Sequence, residues 1–314
     1  VIFYRVPLYE NFLSLREEAE RLGLAVGVDI DDPLFNKHVY RTHRNLAYLS
    51  DWLRADLLAA VKTFRATLPL ADFFIASTPG MADEFERAKR ELKIAHGRPV
   101  HLWRNLVDRE SEEAAREIRA ESMPPGAAGT VTIGFFSGSL AHEADFRAAA
   151  DGIVRLLDEE PSTRLLIGGH LQASQILAGV RERVVHVPFA DYPTYLRTIA
   201  RCDLVVVPLV QDRFNECKSA IRFMDAALLE RPVVATRVGD FRHVMVEGRT
   251  GWLTENSHWY EALRTALEQR ERWPEIGRFA REHVCGSYAT GTYRAALEPL
   301  YGGSTRQPRE EAPA

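Results

Sequence analysis

The sequence predicts an α/β protein made of two domains, each built on a parallel β-sheet. The first observation is length, because 314 residues suffice for two such domains with full cores. The second is a set of short apolar runs, such as 203–209 and 233–236, with the pattern of strands buried on both faces. The third is the strand–helix–strand spacing of residues 1–30, typical of a βαβ unit. Ligands of open α/β sheets bind beyond the carboxyl ends of the strands.

The first part of the chain alternates strand and helix patterns. We predict strands from Val1 and over 24–30, 71–76 and 99–103, and helices over 12–22, 38–67 and 80–92. The chain starts on a strand pattern without a methionine or a cap, so we expect a fragment or one segment of a larger multidomain protein. The basic helix over 38–67 carries Trp52; a solvated face is one interpretation, and peripheral contact with a membrane surface is another.

A charged stretch followed by prolines and glycines marks the predicted domain boundary within 109–130. We assign residues 1–128 to a first domain, 129–301 to a second, and 302–314 to a disordered polar tail. In the second domain we predict strands near 131–136, 164–169, 184–189, 203–209 and 233–236, and helices from Glu143, over 192–199, from Ala220, over 258–270 and over 280–301.

Composition excludes several function classes. A formal net charge of -4 is unsuited to a nucleic-acid partner, which requires a basic face. No apolar run approaches the ~20 residues needed to span a bilayer, and no signal peptide is evident. The cysteines Cys202, Cys217 and Cys285 lack metal-ligand spacing and suit a reducing compartment. We therefore expect a cytoplasmic protein, with the inner face of the membrane as the alternative location.

The segment 214–239, FNECKSAIRFMDAALLERPVVATRVG, organises the second domain. It has the pattern of a loop, a helix, a turn and a strand, with Asn215 as the predicted N-cap and Arg231-Pro232 as the break. The start of a helix presents unpaired N–H groups and the positive end of its dipole, which suits a phosphate. The segment therefore predicts a phosphate site where its helix begins.

Lys218 lies at this predicted helix start, where the dipole does not favour a cation. The other lysines of the chain are Lys37, Lys62, Lys89 and Lys93, and the remaining basic residues are arginines. Lysine is a compact point charge where arginine is a broad fork, and a diphosphate oxygen beside a helix start suits the former. A solvated lysine without a ligand is the alternative interpretation.

A second phosphate-binding pattern opens the second domain. The strand near 131–136 leads into Gly138-Ser139 and then into a helix from Glu143, which is the layout of a phosphate-binding turn. His142 lies immediately before that helix. It caps the helix in one interpretation and contacts the ligand in the other.

These motifs resemble the donor-binding segment of GT-B-fold glycosyltransferases, in the large retaining family known as group 1, or family 4-like. The resemblance is greatest to a branch with N-x-x-K-S, an acidic residue on the next helix, and PVVAT, and with G-S-x-x-H-x-x-D in the first turn. It implies two facing Rossmann-like domains with parallel sheets and a nucleoside diphosphate sugar between them, bound mainly by the second. It implies no cofactor besides this donor substrate, and no metal.

The resemblance also implies which residues bind the donor. Asp225 takes the place of the acidic residue that holds ribose or sugar hydroxyls, and Cys217 stands where the wider family has a glutamate. Asp225 lies about two helical turns beyond Lys218, so we expect both on one helical face. Phe189 lies where the family places the base, with core packing as the alternative. The expected donor-binding residues are Gly138, Ser139, His142, Phe189, Asn215, Lys218, Ser219 and Asp225.

Asp31 and Asp32 follow the strand over 24–30, and we expect them to face the cleft from the first domain. The resembled branch carries a similar D-x-D-D-x-x-F segment, which implies a part in acceptor binding or catalysis. Capping of the next turn and a metal-binding D-x-D are the alternatives. We expect an open cleft to separate this pair from the phosphate features. The expected catalytic residues are Asp31, Asp32, His142 and Lys218.

The predicted reaction moves a sugar from a nucleoside diphosphate sugar to a hydroxyl of a glycan or lipid-linked acceptor, in glycan or polysaccharide biosynthesis. The resemblance implies retention of configuration. The alternatives are a nucleotide-sugar epimerase or hydrolase on the same fold, and a non-catalytic nucleotide-sugar-binding module of a larger protein. The family's Arg and Lys in the first turn are replaced here by Ser139 and the stretch 141–144, which favours the module.

Overall fold

Two parallel β-sheets, one in each half of the chain, form the framework of the computed structural model, which describes residues 1–121, 129–139, 141–171 and 175–292. The first sheet contains β1 Ile2–Tyr4, β2 Gly27–Asp29, β3 Phe73–Ala76 and β4 Val100–Leu102. The second contains β5 Val131–Ser137, β6 Thr163–Gly169, β7 Val184–Val187, β8 Leu204–Val207, β9 Val233–Thr236 and β10 Trp252–Thr254. The strand orders are β1-β2-β3-β4 and β10-β9-β8-β5-β6-β7. The named pairs are parallel, so the predicted α/β class is confirmed.

Helices connect these strands. They are α1 Glu10–Arg21, α2 Lys37–Thr42, α3 Asp51–Thr67, α4 Pro79–Glu91, α5 Arg109–Ala120, α6 Glu143–Glu159, α7 Tyr192–Ala200, α8 Ile221–Leu228, α9 Phe241–Val244, α10 Trp259–Glu268 and α11 Trp273–Ser287. The predicted tail, 302–314, and the last part of the helix predicted over 280–301 lie outside the described residues.

Helices cover both faces of the second sheet, and this placement fixes where a ligand can bind. Ile133 and Phe135 of β5 pack in the core that contains α6 and α10, whereas Phe136 packs on the opposite face with α7 and α8. Strands covered on both sides carry apolar residues at nearly every position, which explains the runs in the sequence. The starts of α6 and α8 therefore meet at the carboxyl edge of the sheet, where β5 and β8 end.

The prediction of one long helix over 38–67 is wrong. The chain forms α2, then a short 3-10 turn over Arg44–Tyr48, and then α3, which begins after Ser50. The Ser50 hydroxyl accepts a hydrogen bond from the backbone N–H of Leu53 at 3.3 Å, which caps the new helix. The 3-10 turn carries Asn45 into contact with the second domain. Contacts that are distant in sequence therefore override a continuous helical pattern.

Helix α5 packs with the second domain, although the sequence assignment placed it in the first. Ala115 and Ile118 are buried in the same core as α7 and α8, together with Val107 at the entry to the helix. Val107 also forms a parallel bridge with Ala289, just after α11. The amphipathic face of α5 thus lies against the second sheet's helices, and the packing boundary falls between β4 and Val107.

The loop that precedes α8 joins the two domains. Phe214 and Cys217 lie in the hydrophobic core of the first domain, although they follow β8 of the second. The Thr78 hydroxyl at the start of α4 donates to the carbonyl oxygen of Cys217 at 2.9 Å, and Arg213 Nε donates to the buried Glu84 Oε1 at 2.6 Å. This loop therefore positions the start of α8 against the first domain.

Gly80, in the first turn of α4, lies against this loop, and we expect Gly80→Ala to destabilise the protein. A Cβ atom at Gly80 would overlap the backbone carbonyl of Glu216. The clash is expected to cost about 1–3 kcal/mol. Helix propensity alone would favour alanine by up to about 1 kcal/mol, so the sign of the effect is informative.

Thermal unfolding followed by circular dichroism measures this effect. Gly97→Ala is the matched control, because a Cβ at Gly97 of the same domain has no atom within 4 Å. We expect a lower Tm for Gly80→Ala and an unchanged Tm for Gly97→Ala. An unchanged or raised Tm for Gly80→Ala would show that the close approach of the two domains is wrong.

Candidate functional site

A charged cavity of about 270 Å³ lies between the two domains, at the carboxyl ends of β2 and β8. The first domain lines it with Arg5, Asp31 and Asp32, and the second with His142, Lys218, Ser219 and Arg222. We call it the cleft cavity. It unites the four predicted catalytic residues: Asp31, Asp32, His142 and Lys218.

Lys218 and Asp32 form an ion pair across the domain interface. Lys218 Nζ donates to Asp32 Oδ1 at 2.8 Å, and Arg5 lies 3.3 Å from Asp31 Oδ1 and 3.6 Å from Asp32 Oδ2. Burial opposes ionisation of Asp32, but Lys218 and Arg5 together hold its pKa below the ordinary value. The expectation that an open cleft separates the acidic pair from Lys218 is therefore wrong, because the loop over 212–217 inserts into the first domain.

A second cavity, of about 320 Å³, adjoins the cleft cavity and shares Ile221 and Arg222 with it. We call it the nucleotide cavity, after the ligand that the sequence resemblance predicts for the second domain. Its lining is mostly apolar and includes Phe136, Gly138, Gly169, Phe189, Tyr192, Tyr195 and Asp225.

The end of β6, beside the nucleotide cavity, requires a glycine at position 169. Gly169 has φ +92°, and a Cβ there would overlap the carbonyl oxygen of Ser137. A side chain at this position would separate the ends of β5 and β6, which pair directly between Ser137 and Gly169. The backbone of this edge therefore approaches the cavity closely, as ligand-binding glycines allow.

Phe189 lies at the mouth of the nucleotide cavity rather than in a core. Its side chain is 60% exposed, and its ring stacks on that of His170 with centroids 5.6 Å apart and planes 16° apart. The core-packing alternative is therefore wrong. The ring therefore lines the cavity from an exposed position.

Asp225 lies in the nucleotide cavity with its carboxylate already held by two hydroxyls. Tyr192 Oη donates to Asp225 Oδ1 at 2.8 Å, and Tyr195 Oη donates to Oδ2 at 3.1 Å. Burial raises the pKa of Asp225 to about 6. The prediction that Asp225 and Lys218 share a helical face is wrong, because Lys218 precedes α8 and has an extended backbone, with φ -71° and ψ 136°.

His142 is the N-cap residue of α6, but its side chain makes no capping bond. Its Nδ1 lies 2.9 Å from Asp145 Oδ2, and its Nε2 lies 2.9 Å from a guanidinium nitrogen of Arg222. Burial and the neighbouring Arg222 lower the pKa of His142 to about 4, so the ring is neutral near pH 7. Because a guanidinium only donates, Nε2 accepts from Arg222 and Nδ1–H donates to Asp145.

Asn215 does not cap the helix for which it was predicted. The N-cap of α8 is Ala220, and Asn215 is fully buried in the loop before Lys218. Its Nδ2 donates to Asp145 Oδ1 and to the carbonyl oxygen of Val210, each at 2.9 Å. Asn215 therefore holds the loop that presents Lys218, and it lines neither of the two cavities.

The remaining predicted residues surround the junction of the two cavities. Gly138 lines the nucleotide cavity, and Ser219 lines the cleft cavity, where its Oγ accepts from Asn105 Nδ2 at 2.9 Å. Ser139 lies beside Gly138 on the surface, and its Oγ accepts from the backbone N–H of Ala141 at 3.3 Å. The glycine-rich turn thus borders the nucleotide cavity.

Sequence reasoning missed Arg222, Arg5 and the two tyrosines. Arg222 lies in the first turn of α8 and lines both cavities, so it supplies a cation where the family's basic pair is absent. Arginine is common in this chain, so the residue type did not distinguish Arg222. The only signal in the sequence was its position, four residues after Lys218. Within the described ranges, no group of three or more His, Cys, Asp or Glu side chains suits a metal ion, and no helix is long and apolar enough to cross a membrane.

Asp225→Asn is expected to change how stability depends on pH. Because its pKa in the folded protein, about 6, exceeds the ordinary value of 3.8, Asp225 stabilises the fold most below about pH 4. That contribution is lost as pH rises through about 6, and it amounts to roughly 3 kcal/mol. Loss of one tyrosine hydrogen bond in the variant offsets this by about 1 kcal/mol at any pH.

Urea unfolding of wild type and Asp225→Asn at pH 4 and pH 7.5 measures the difference. We expect the variant to gain stability relative to wild type on going from pH 4 to pH 7.5. The same difference in free energy of unfolding at both pH values would contradict the raised pKa of Asp225.

Two facing α/β domains, with cavities at the carboxyl edge of the second sheet, are the architecture of GT-B glycosyltransferases, and the predicted fold class is confirmed. The Anabaena protein Alr3699/HepE, solved in complex with UDP and glucose, aligns with TM-score 0.66 and 16% identity over 96% of this chain and 78% of that chain. WaaG, a glycosyltransferase involved in lipopolysaccharide biosynthesis, aligns with TM-score 0.62 and 15% identity over 93% of this chain and 82% of that one. At such identities, these similarities establish the fold alone.

Residues 131–269, which lie in the second domain, match the model of the family Glycosyl transferases group 1, as the resemblance predicted for this part of the chain; retention of configuration stays a prediction. A D-inositol 3-phosphate glycosyltransferase of Paenarthrobacter aurescens is 29% identical over 110 residues, which are 34% of this chain and 26% of that protein. Its counterpart from an Arthrobacter species is 28% identical over 127 residues, 40% of this chain and 29% of that protein. The chain thus matches less than a third of the length of either relative.

Proposed function

We propose that the chain is a glycosyltransferase that moves a sugar from a nucleoside diphosphate sugar to a hydroxyl acceptor. The observation that carries the proposal is the start of α8, where Ile221 and Arg222 lie at the junction of an apolar cavity and a charged cleft. A nucleoside diphosphate sugar has the same order of parts: an apolar base, a charged diphosphate and a polar sugar. The family of the second domain and the names of the relatives support this reading of the site.

The nucleoside occupies the nucleotide cavity in this proposal. The base stacks on the exposed face of Phe189, whose other neighbour is His170. The ribose diol lies against Asp225, whose carboxylate oxygens keep lone pairs free beyond the tyrosine contacts. The solved structure of the Anabaena protein with UDP is consistent with a uridine nucleotide, which we propose as the first to test.

The diphosphate lies at the start of α8. The first N–H groups of a helix have no intrahelical partner, and the helix dipole favours an anion there. Arg222 adds a permanent positive charge, and Lys218 lies in the adjoining cavity. As the bond from the sugar to the diphosphate breaks, these groups stabilise the charge on the leaving oxygen without requiring a metal ion.

The sugar and the acceptor hydroxyl meet in the cleft cavity. Asp31 and Asp32 approach it from the first domain, and the lowered pKa of Asp32 keeps that carboxylate ionised. We propose that the pair orients the acceptor hydroxyl. As the bond from the sugar to the diphosphate breaks and the bond to the acceptor oxygen forms, the hydroxyl proton passes to the departing diphosphate oxygen. Retention of configuration, a glycan or lipid-linked acceptor, and action at the cytoplasmic side complete the proposal. The 76% exposed Trp52 offers a point of peripheral membrane contact.

Release of nucleoside diphosphate, measured with and without acceptor, tests the proposed function. The donors are UDP-glucose, GDP-mannose, ADP-glucose and dTDP-glucose, and the acceptor probes are D-inositol 3-phosphate and methyl glycosides. A transferase releases the nucleoside diphosphate faster when an acceptor is present and yields a glycosylated product. Release of nucleoside diphosphate at the same rate with and without acceptor indicates a hydrolase. Formation of an epimerised donor indicates an epimerase. If a donor binds but no nucleoside diphosphate is released from any of the four donors, the chain is the non-catalytic module.

A further inference from the structure

A buried polar network runs from the first domain to the donor side of the second. It begins at Asn45, in the 3-10 turn between α2 and α3, whose side chain is almost fully enclosed. Asn45 Oδ1 accepts from the backbone N–H of Ala144 at 2.8 Å and of Asp145 at 3.3 Å. Asn45 Nδ2 donates to Asp145 Oδ2 at 2.8 Å. One side chain therefore binds both the backbone and a carboxylate of the other domain.

Asn45 caps α6 from across the domain interface. Ala144 and Asp145 are in the first turn of that helix, and the N-cap residue His142 contributes no capping bond of its own. The predicted phosphate site at the start of α6 is thus partly wrong, because two of its N–H groups are taken by Asn45. A phosphate is left with the start of α8 and with the adjoining glycine-rich turn.

Asp145 is the centre of the network. It has no solvent exposure, and four donors surround its carboxylate. Oδ1 accepts from Val210 N at 2.8 Å and from Asn215 Nδ2 at 2.9 Å, while Oδ2 accepts from Asn45 and from His142 Nδ1. Burial opposes ionisation, yet these donors hold the pKa of Asp145 below its ordinary value. A fully bonded buried carboxylate of this kind has a fixed orientation.

The network ends at the guanidinium that faces both cavities. Asp145 fixes the Nδ1–H tautomer of His142, which leaves Nε2 as an acceptor for Arg222 at 2.9 Å. This is the arrangement by which a buried carboxylate orients an imidazole, and the imidazole then orients its partner. The orientation of Arg222 therefore depends on a carboxylate that is held in part by the first domain.

We propose that Asn45 is a positioning residue for the donor site: through Asp145 and His142 it orients Arg222 toward the donor diphosphate, so that the diphosphate site is complete only when the first domain is docked. This inference rests on the proposed function. The residue type supports it, because an amide side chain both accepts from the helix and donates to Asp145. A serine or threonine hydroxyl would have to accept from the helix and donate to Oδ2 through a single oxygen atom, whereas the amide of Asn45 accepts at Oδ1 and donates at Nδ2.

The tautomer of His142 in the wild-type protein is the first test. Nitrogen-15 NMR distinguishes an imidazole protonated at Nδ1 from one protonated at Nε2. We expect neutral His142 with its proton on Nδ1, because Asp145 accepts from it and Arg222 donates to the other nitrogen. A proton on Nε2, or a charged ring at pH 7, would overturn the proposal without any variant.

Asn45→Ser and Asn45→Ala are the second test, with Ser50→Ala as the matched control. Ser50 also caps a helix, but it caps α3 of its own domain and touches neither cavity. We expect both Asn45 variants to bind the nucleoside diphosphate at least tenfold more weakly, and Ser50→Ala to bind as wild type. We also expect the pKa of His142 to rise in the Asn45 variants, because Asp145 loses a competing donor while Arg222 and Lys218 still face the ring.

The outcomes separate the two claims. If calorimetry shows that wild type binds none of UDP, GDP, ADP and dTDP, the proposed function is rejected. The pKa of His142 in the Asn45 variants still tests the network in that case. A different outcome rejects the network alone: wild type binds a nucleotide, and folded Asn45→Ser binds it with the same affinity and has the same His142 pKa. If neither Asn45 variant folds, the wild-type tautomer decides.

Discussion

Arg222→Ala is expected to weaken binding of the nucleoside diphosphate by about ten- to a hundredfold, while the protein remains folded. The side chain lines both cavities and belongs to the first turn of α8. Loss of a charge-assisted hydrogen bond to phosphate costs about 1.5–3 kcal/mol, which corresponds to this range. Isothermal titration calorimetry with UDP, GDP, ADP and dTDP measures the change.

Two further variants define the role of Arg222. Arg222→Lys keeps the charge but loses the planar fork that reaches His142, so we expect intermediate affinity. Arg155→Ala is the matched control, since Arg155 is an arginine of the same domain that pairs with Glu159 outside both cavities. Lys218→Ala should weaken binding less than Arg222→Ala, because Nζ must first leave Asp32 to reach a phosphate. Equal affinity in folded Arg222→Ala and wild type would remove Arg222 from the site.

Replacement of both Asp31 and Asp32 by alanine is expected to reduce turnover at least a hundredfold and to leave nucleoside diphosphate affinity within about twofold of wild type. The pair lines the cleft cavity from the first domain, whereas the nucleotide cavity is built by the second. Loss of Asp32 also frees Lys218 from its ion pair, which opposes any loss of affinity for phosphate. The measurement is the rate of acceptor-dependent release of nucleoside diphosphate beside calorimetry on the same variant.

The same variant distinguishes acceptor binding from the metal-binding alternative. Arg5 and Lys218 already form ion pairs with the two carboxylates, so their negative charge is balanced without a metal ion. We therefore expect EDTA to leave wild-type activity largely intact. Activity that is lost with EDTA, restored by Mn²⁺ or Mg²⁺, and independent of metal in the double variant would assign the pair to a metal instead.

Local sequence patterns predicted most of the fold because burial on both faces of a parallel sheet leaves a continuous apolar signature. The strand over 233–236 follows that rule, and the helix starting at Glu143 has its own helical pattern; both lie where the sequence placed them. The helix over 38–67 does not, since Asn45 leaves the helical pattern to bind Asp145 of the other domain. Such contacts between distant residues have no periodicity and cannot be inferred from one sequence.

The site was predictable to the extent that residue type reports on it. Lys218 and Asp32 stood out in the sequence, and they share the cleft cavity; Phe189 and Asp225 share the nucleotide cavity. Arg222 did not stand out, because its role depends on His142 and on the meeting of two cavities. The prediction for Asn215 was wrong, because an asparagine before a helix has the same local sequence pattern whether it caps that helix or donates to a buried carboxylate.

Hydrogen–deuterium exchange with UDP, GDP, ADP and dTDP shows whether a nucleoside diphosphate binds between β6 and the start of α8. We expect one of these nucleotides to protect the amides of 136–139, 187–192 and 219–225, and we expect weaker protection in Arg222→Ala at the same nucleotide concentration. Protection confined to other segments, or unchanged exchange with all four nucleotides at millimolar concentration, would contradict this expectation.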